Sequence, residues 1–256
     1  IASSLVGSEM CIRDRTMEEL RRHQLERLAA GFRMFSHFGY DEGIAGHITL
    51  RDPEFPHYFW VNPFGMHFGQ ICISDLILVD RDGNIVQGEG KMLNTAAFAI
   101  HSRLHEARSD VNAAAHSHSM YGKSFSTLGR LLEPITQDSC AFYENHVLFD
   151  DFTGVVLETD EGDRIAKALG DKKAAILKNH GLLTTGESVD AALWAFLSMD
   201  RCCQSQLIAE SAGQMERIAD DVAELTRDQV GSEFAMWASF QPIYDLMLEK
   251  DDSFLN

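Results

Sequence analysis

Two histidines one residue apart close an apolar run, Ala113-Ala114-Ala115-His116-Ser117-His118-Ser119. On an extended strand the side chains at i and i+2 share a face, so His116 and His118 project the same way. Two neutral imidazoles aimed at one point make most of a divalent metal site, lacking a third donor and an open position. A second apolar run, Ala175-Ile176-Leu177-Lys178-Asn179-His180-Gly181, also ends in a histidine and offers that donor. Imidazole ligands with one open position suit Zn2+, and also Mn, Fe or Co, because such a site does not select its own metal. A metal held this way can chelate adjacent oxygens of a hydroxy-carbonyl substrate and stabilise the enediolate formed as a carbon–carbon bond breaks. Retro-aldol cleavage and decarboxylation both pass through that intermediate.

The chain carries eleven histidines in 256 residues. A histidine alone on an apolar face is usually a hydrogen-bonded core residue, and His23, His37, His57, His67, His101 and His105 are read that way. His47 stands at a strand end, where it is either a contact for a substrate anion or an ordinary strand-end residue.

The elements that position these groups follow from periodicity. Thr16-Met17-Glu18-Glu19 has the pattern of a capping box, and Leu20, Leu25, Leu28, Ala29, Phe32 and Phe35 continue it as an amphipathic helix to Gly39. Gly43–Arg51, Tyr58–Val61 and Leu76–Asp80 read as strands, with Arg81-Asp82-Gly83-Asn84 turning the chain into Ile85-Val86. Asn94 caps a predicted helix over Thr95–Ala107, with Ala96, Phe98, Ile100, Leu104 and Ala107 inward. Asp110–His118 is the strand bearing the histidine pair, and Ser119–Leu128 a helix. Val147–Phe149, Gly154–Leu157, Ala174–Leu177 and Leu182–Gly186 read as further strands. Asp160–Gly170 and Ser188–Ala212 read as helices, and the acidic remainder from Ile218 is helical, anchored by Phe234, Trp237, Phe240 and Tyr244.

The net charge of −17 leaves no excess of Lys and Arg to neutralise phosphates, which argues against nucleic acid and anionic membranes as partners. Five cysteines, Cys11, Cys72, Cys140, Cys202 and Cys203, show no paired spacing and read as reduced thiols of a cytoplasmic protein. No apolar run reaches the ~20 residues of a transmembrane helix. Residues 1–15 resemble a translated adapter sequence and are read as an artefactual or disordered tail. Residues 16–212 are then the domain proper, and 213–256 a helical extension packed on it.

The segments Arg108–Ser119 and Lys178–Leu183 together resemble the class II aldolase/adducin family, and the similarity runs from about Leu20 to about Ile208. The resemblance implies an α/β fold of three layers, α/β/α, with a central, largely antiparallel sheet. It implies a metal held by His116, His118 and His180, near subunit interfaces of a homotetramer. Adducin-type members without enzymatic activity lose these histidines, whereas this chain keeps all three. Sugar-phosphate members carry a general-base glutamate whose position falls on Ala97 here, with Glu89 and Glu106 out of register. Their phosphate-cradling Gly-Asn-x-Ser appears as Gly46-His47-Ile48-Thr49, and their Thr-Pro-Thr-Gly loop as Asn62-Pro63-Phe64-Gly65. His47, Asn62, Gly65 and Asn179 are therefore the expected substrate contacts, and an aromatic or carboxylated small molecule fits them better than a sugar phosphate. Without the usual glutamate, a substrate that loses CO2 is attractive, because it needs no base to start. Glu144 or Tyr143 would return the proton. The expected function is a metal-dependent lyase, with a non-haem iron oxygenase or a non-catalytic adducin-like protein as alternatives.

Overall fold

The capping box starts the first helix as its residues dictate. The Thr16 hydroxyl accepts from the Glu19 amide, and the Glu19 carboxylate accepts from the Thr16 amide at 2.8 Å. The structure is a computed structural model that describes residues 15–156 and 158–256. The adapter-like tail, with Cys11, lies outside the described residues except for Arg15.

Helix α1 (Met17–His37) leads into a sheet of eight strands. These are β1 (His47–Arg51), β2 (Phe59–Val61), β3 (Ile77–Val79), β4 (Ile85–Gln87), β5 (Ala113–Ser117), β6 (His146–Phe149), β7 (Ala174–Leu177) and β8 (Gly181–Gly186). Their spatial order is β4-β3-β2-β1-β5-β8-β7-β6, and every pairing is antiparallel except that of β6 with β7. The helices are α2 (Thr95–Ala107), α3 (Met120–Ser126), α4 (Thr159–Leu169), α5 (Val189–Ala212), α6 (Asp220–Val230) and α7 (Glu233–Lys250).

Alternation along the strands sorts the chain into three layers. Ala113, Ala115, Ile176 and Leu182 face one core, packed against Leu28, Phe32 and Phe35 of α1, Phe125 of α3, Phe196 of α5 and Phe240 of α7. Ala114, Ala175, Leu177 and Leu183 face the other way, onto Ile100 and Leu104 of α2 and Ile165 and Leu169 of α4. A two-residue period buried on both faces is what a sheet sandwiched between helices requires. The small residues of β5 let both helical layers approach its middle. The fold is α/β with a central, mostly antiparallel sheet.

Several expectations need correction. Val155 and Val156 do not form a strand: Val155 is exposed, and the segment has no sheet partner. Thr153 instead donates to the Glu161 carboxylate at 2.6 Å, tying this loop to α4; Leu157 lies outside the described residues. The buried positions of α2 are Ala97, Ala99, Ile100, His101, Leu104 and His105; Phe98 packs half-buried against Phe59, whereas Ala96 is only half-buried and Ala107 is exposed. His101 and His105, read from the sequence as hydrogen-bonded core residues, are buried there, and both meet the Thr49 hydroxyl. Strand β5 ends at Ser117, so His118 lies just beyond it. In α7, Phe240 and Tyr244 are buried, whereas Phe234 is 57% exposed.

Buried neutral histidines make stability depend on pH. His146 is enclosed, accepting from the Leu132 amide at 2.9 Å and lying 2.5 Å from the Phe142 carbonyl, and burial lowers its pKa to about 4 from 6.5. Between those values the unfolded chain binds a proton that the folded chain does not. Stability is therefore complete above 6.5 and falls as pH drops toward 4, by about 1.4 kcal/mol per pH unit for one such group. Urea unfolding of His146→Gln across this interval is expected to show a pH slope shallower than wild type by one proton equivalent. An identical slope would mean that folded His146 titrates normally.

Candidate metal centre

The centre is assembled at one end of the central strands by β5 and the β7–β8 hairpin. His116 sits on β5 opposite Leu183 of β8 and His47 of β1. Its Nδ1 lies 2.8 Å from the Leu182 carbonyl. A carbonyl only accepts, so Nδ1 carries the proton and Nε2 is left as the ligand atom. Ser117, between the two histidines, turns away and donates its hydroxyl to the Tyr40 carbonyl.

His180 sits at the tip of the β7–β8 hairpin, whose last pair is Leu177 with Gly181. Asn179 takes a left-handed conformation there, φ +58°, which asparagine tolerates better than other non-glycine residues. Gly181 is required for packing, since a Cβ would lie 2.8 Å from the Ser117 carbonyl. Gly46 is constrained twice, by φ +106° and by an approach of 3.1 Å to the His116 carbonyl. Strands on both sides thus close tightly on the histidine-bearing segment.

Ligand-capable atoms of His116, His118 and His180 all lie within 4.8 Å of one another. The ring centroids are 5.3, 4.7 and 4.8 Å apart for the pairs 116–118, 116–180 and 118–180. His116 is buried, while His118 and His180 are partly exposed, so the cluster opens on one side. Burial is the main cause that lowers all three pKa values, with mutual repulsion of the imidazoles adding to it for His116 and His180; His180 is held at about 4. Three neutral, convergent imidazoles with an open side fit a divalent metal, because only the neutral ring has a lone pair to give. The donor set is compatible with zinc or iron.

The other expected residues divide into two groups. His47 lies beside the cluster, its ring 5.0 Å from that of His116. The antiparallel register of β2 on β1 carries the Asn62–Gly65 turn to this same end of the strands, and Asn62 Oδ1 is buried there with no hydrogen-bond partner among the described residues. Asn179 is exposed, so its evident work is to shape the turn that aims His180. Tyr143 and Glu144 belong elsewhere. They precede His146 at the start of β6, which runs parallel to β7, whereas His180 follows the end of β7. Tyr143 pairs with Asp220, and the exposed Glu144 faces Arg227 at 3.8 Å. Within one protomer they lie at the opposite ends of the strands from His180.

The charged groups acting on His118 are Glu42 and Lys123. These two form an ion pair, with Lys123 Nζ 2.5 Å from both carboxylate oxygens. The sequence marks neither of them, since Glu42 lies in an aperiodic turn and Lys123 on a short helix. Ala97 occupies the buried face of α2, and His101 follows it by one turn toward His47, the rings 4.3 Å apart.

This fold and centre define a class II aldolase-type protein, and comparison with known families agrees. Residues 26–207 match the family described as Class II Aldolase and Adducin N-terminal domain. The chain belongs to the class II aldolase and adducin family. It is 47% identical to "Decarboxylase NovR" of Streptomyces niveus, over 92% of this chain and 88% of that protein. It is 46% identical to the "4-hydroxy-3-prenylphenylpyruvate oxygenase/4-hydroxy-3-prenylbenzoate synthase" of Streptomyces roseochromogenus subsp. oscitans, over 92% and 86%. Among solved structures, an L-fuculose 1-phosphate aldolase from Glaciozyma antarctica PI12 superposes with a TM-score of 0.88 at 44% identity, covering 93% of this chain and 94% of that one.

The geometry makes a direct prediction about metal content. His116→Ala, His118→Ala or His180→Ala should each reduce bound metal at least tenfold by elemental analysis, with folding retained by circular dichroism. Asn179→Gly should keep the metal. Asn179→Val, which adds about 1–3 kcal/mol of backbone strain at this φ, should lose much of it. Full metal retention in any of the three alanine variants would remove that histidine from the ligand set.

Proposed function

We propose that the protein is a metal-dependent lyase that cleaves or decarboxylates a small hydroxy-carbonyl or carboxylated substrate. The observation that carries this reading is the convergence of His116, His118 and His180 on one half-open point, in a chain so similar to a protein named a decarboxylase. His116, His118 and His180 would hold a divalent metal, zinc foremost, which would supply Lewis acidity toward a substrate carbonyl. The remaining work falls to the chain. The bond from His116 Nδ1 to the Leu182 carbonyl holds the ligand ring in one tautomer and orientation. His47 and the Asn62–Gly65 turn line the same end of the strands and contact the rest of the substrate.

In a decarboxylation the bond to the carboxylate carbon breaks, CO2 leaves, and the electron pair stays on the carbon next to the carbonyl. That carbon then takes a proton. Lys123 Nζ, paired with Glu42 beside His118, is a proton-bearing atom at this end, whereas Tyr143 and Glu144 lie at the other. By the family resemblance the enzyme acts as a homotetramer. A second reading, a non-haem iron oxygenase on the same three histidines, is favoured by the 46% identical relative named an oxygenase.

Metal content and anaerobic turnover separate the two. The zinc-loaded protein should release CO2 from a β-oxo acid such as oxaloacetate, or cleave a 3-hydroxy-carbonyl compound, without oxygen and above the rate given by free zinc. His116→Ala should reduce that rate at least a hundredfold. Turnover that requires iron and consumes O2 would replace the lyase by the oxygenase. A purified protein that binds no divalent metal would exclude both.

A further inference from the structure

Away from the metal centre, a cavity of about 470 Å3 opens between the N-terminal parts of α1 and α7 and the first turn of α5. That volume is in the range of small-molecule sites. Glu187 and Ser188 line it just after the Gly186 end of β8, whereas His180 precedes the Gly181 end. The cavity and the metal centre therefore stand at opposite ends of that strand.

The cavity lining combines aromatic surface with polar atoms that lack partners. Phe234 is exposed and Trp237 half-buried, their ring centroids 5.8 Å apart. Such a pair offers a large apolar contact to a flat ring. Gln24 Oε1 and Arg27 Nε are buried with no hydrogen-bond partner among the described residues. A buried acceptor and a buried donor left this way are unfavourable, and a ligand that supplies both partners relieves them. The two residues are three apart on α1, so their side chains are neighbours on one face. Arg27 is held in place: its guanidinium lies over the Tyr244 ring at 3.6 Å and 3.3 Å from Asp190 Oδ1, which also accepts from Gln241 Nε2 at 3.0 Å.

Charge narrows the ligand. Arg27 is matched by Asp190, and Glu233 by Lys173. His23, also in the lining, stays neutral at neutral pH, its pKa lowered to about 4 chiefly by burial. Among the described lining residues there is thus no unmatched cation to hold an anion. The need is for one acceptor and one donor, side by side and uncharged, next to a flat apolar group. We propose that this cavity is a second small-molecule site that takes a neutral aryl amide, its ring against Phe234 and Trp237, its carbonyl accepting from Arg27 Nε and its N–H donating to Gln24 Oε1. The site is independent of the lyase reading.

The test uses the full, zinc-loaded chain labelled with 15N-tryptophan, and benzamide as the probe. Benzoate replaces the neutral amide by an anion, and acetophenone keeps the carbonyl but lacks the N–H. Benzamide should shift the indole signal of Trp237, assigned by its loss in Trp237→Phe, with bound metal unchanged by elemental analysis. Benzoate and acetophenone should each bind there about fivefold more weakly, the discrimination one hydrogen bond provides. Gln24→Leu should lower benzamide affinity by about the same factor and bring it level with acetophenone. Phe234→Ala should weaken all three probes alike. A Trp237 signal unmoved by benzamide overturns the inference, as does benzoate binding as tightly as benzamide, or wild-type affinity in Gln24→Leu. A Trp237 signal that follows protein concentration and ignores benzamide would assign the cavity to a second copy of the chain, and overturns it too. Should Gln24→Leu fail to fold, the order of the three probes on the wild type decides. None of these readouts requires turnover, so failure of the lyase reading would leave them unchanged.

Discussion

The register of β5 between β1 and β8 is the constraint on which the rest of the centre depends. His116 lies opposite His47 on one side and Leu183 on the other. Because side chains alternate, a slip of one residue would turn His116 toward the helix α1 and α5 layer and send Ser117 to the metal side. The register is held by volume. Ala113, Ala114 and Ala115 are all fully buried and packed against helices on both faces. Glycine at 46 and 181 lets the neighbouring chain approach within contact distance of the His116 and Ser117 carbonyls. A methyl group too many on any of these positions would be felt directly at the ligand rings.

Burial does a second job. Desolvation lowers the pKa of His116, His118 and His180, which favours the neutral form of all three rings. The same desolvation would be unfavourable for an ionised group without a counter-charge. The half-open side, where Glu42 and Lys123 pair, is where full charges are found. The centre therefore grades from a dry floor of neutral imidazoles to a wet, ionic mouth.

The three-histidine cluster was legible in the sequence because His116 and His180 follow apolar runs, and because strand geometry converts a spacing of two into a shared face. Helix limits were legible where a cap carries a side-chain hydrogen bond, as at Thr16, Asn94 and Ser188. The misassigned groups have physical reasons. The inward face of α2 includes His101 and His105, read as core residues, but no hydrophobic pattern reveals that Thr49, far along the chain, is their common partner. Tyr143 and Glu144 sit near aromatic residues in sequence, but the parallel run of β6 and β7 puts them at the end of the sheet away from His180. Strand direction, which decides that separation, is a property of topology and leaves no local mark.

The floor of the centre also explains why the glutamate position of the sugar-phosphate members can stand as alanine. Ala97 is fully buried in a cluster with Phe59, Val61, Ile77 and Val79. That cluster is built of hydrophobic side chains, and the chain carries a net charge of −17. An ionised carboxylate there would lose its hydration without gaining a partner, and it would be pushed toward its neutral form. Neutral imidazoles and a hydroxyl carry no such penalty once their donors and acceptors are matched. His105, Thr49 and His101 are matched in sequence, each group's direction forced by the one before it, starting from a backbone carbonyl that can only accept. Polarity is thus delivered to the floor by direction of hydrogen bonding where charge could not be sustained.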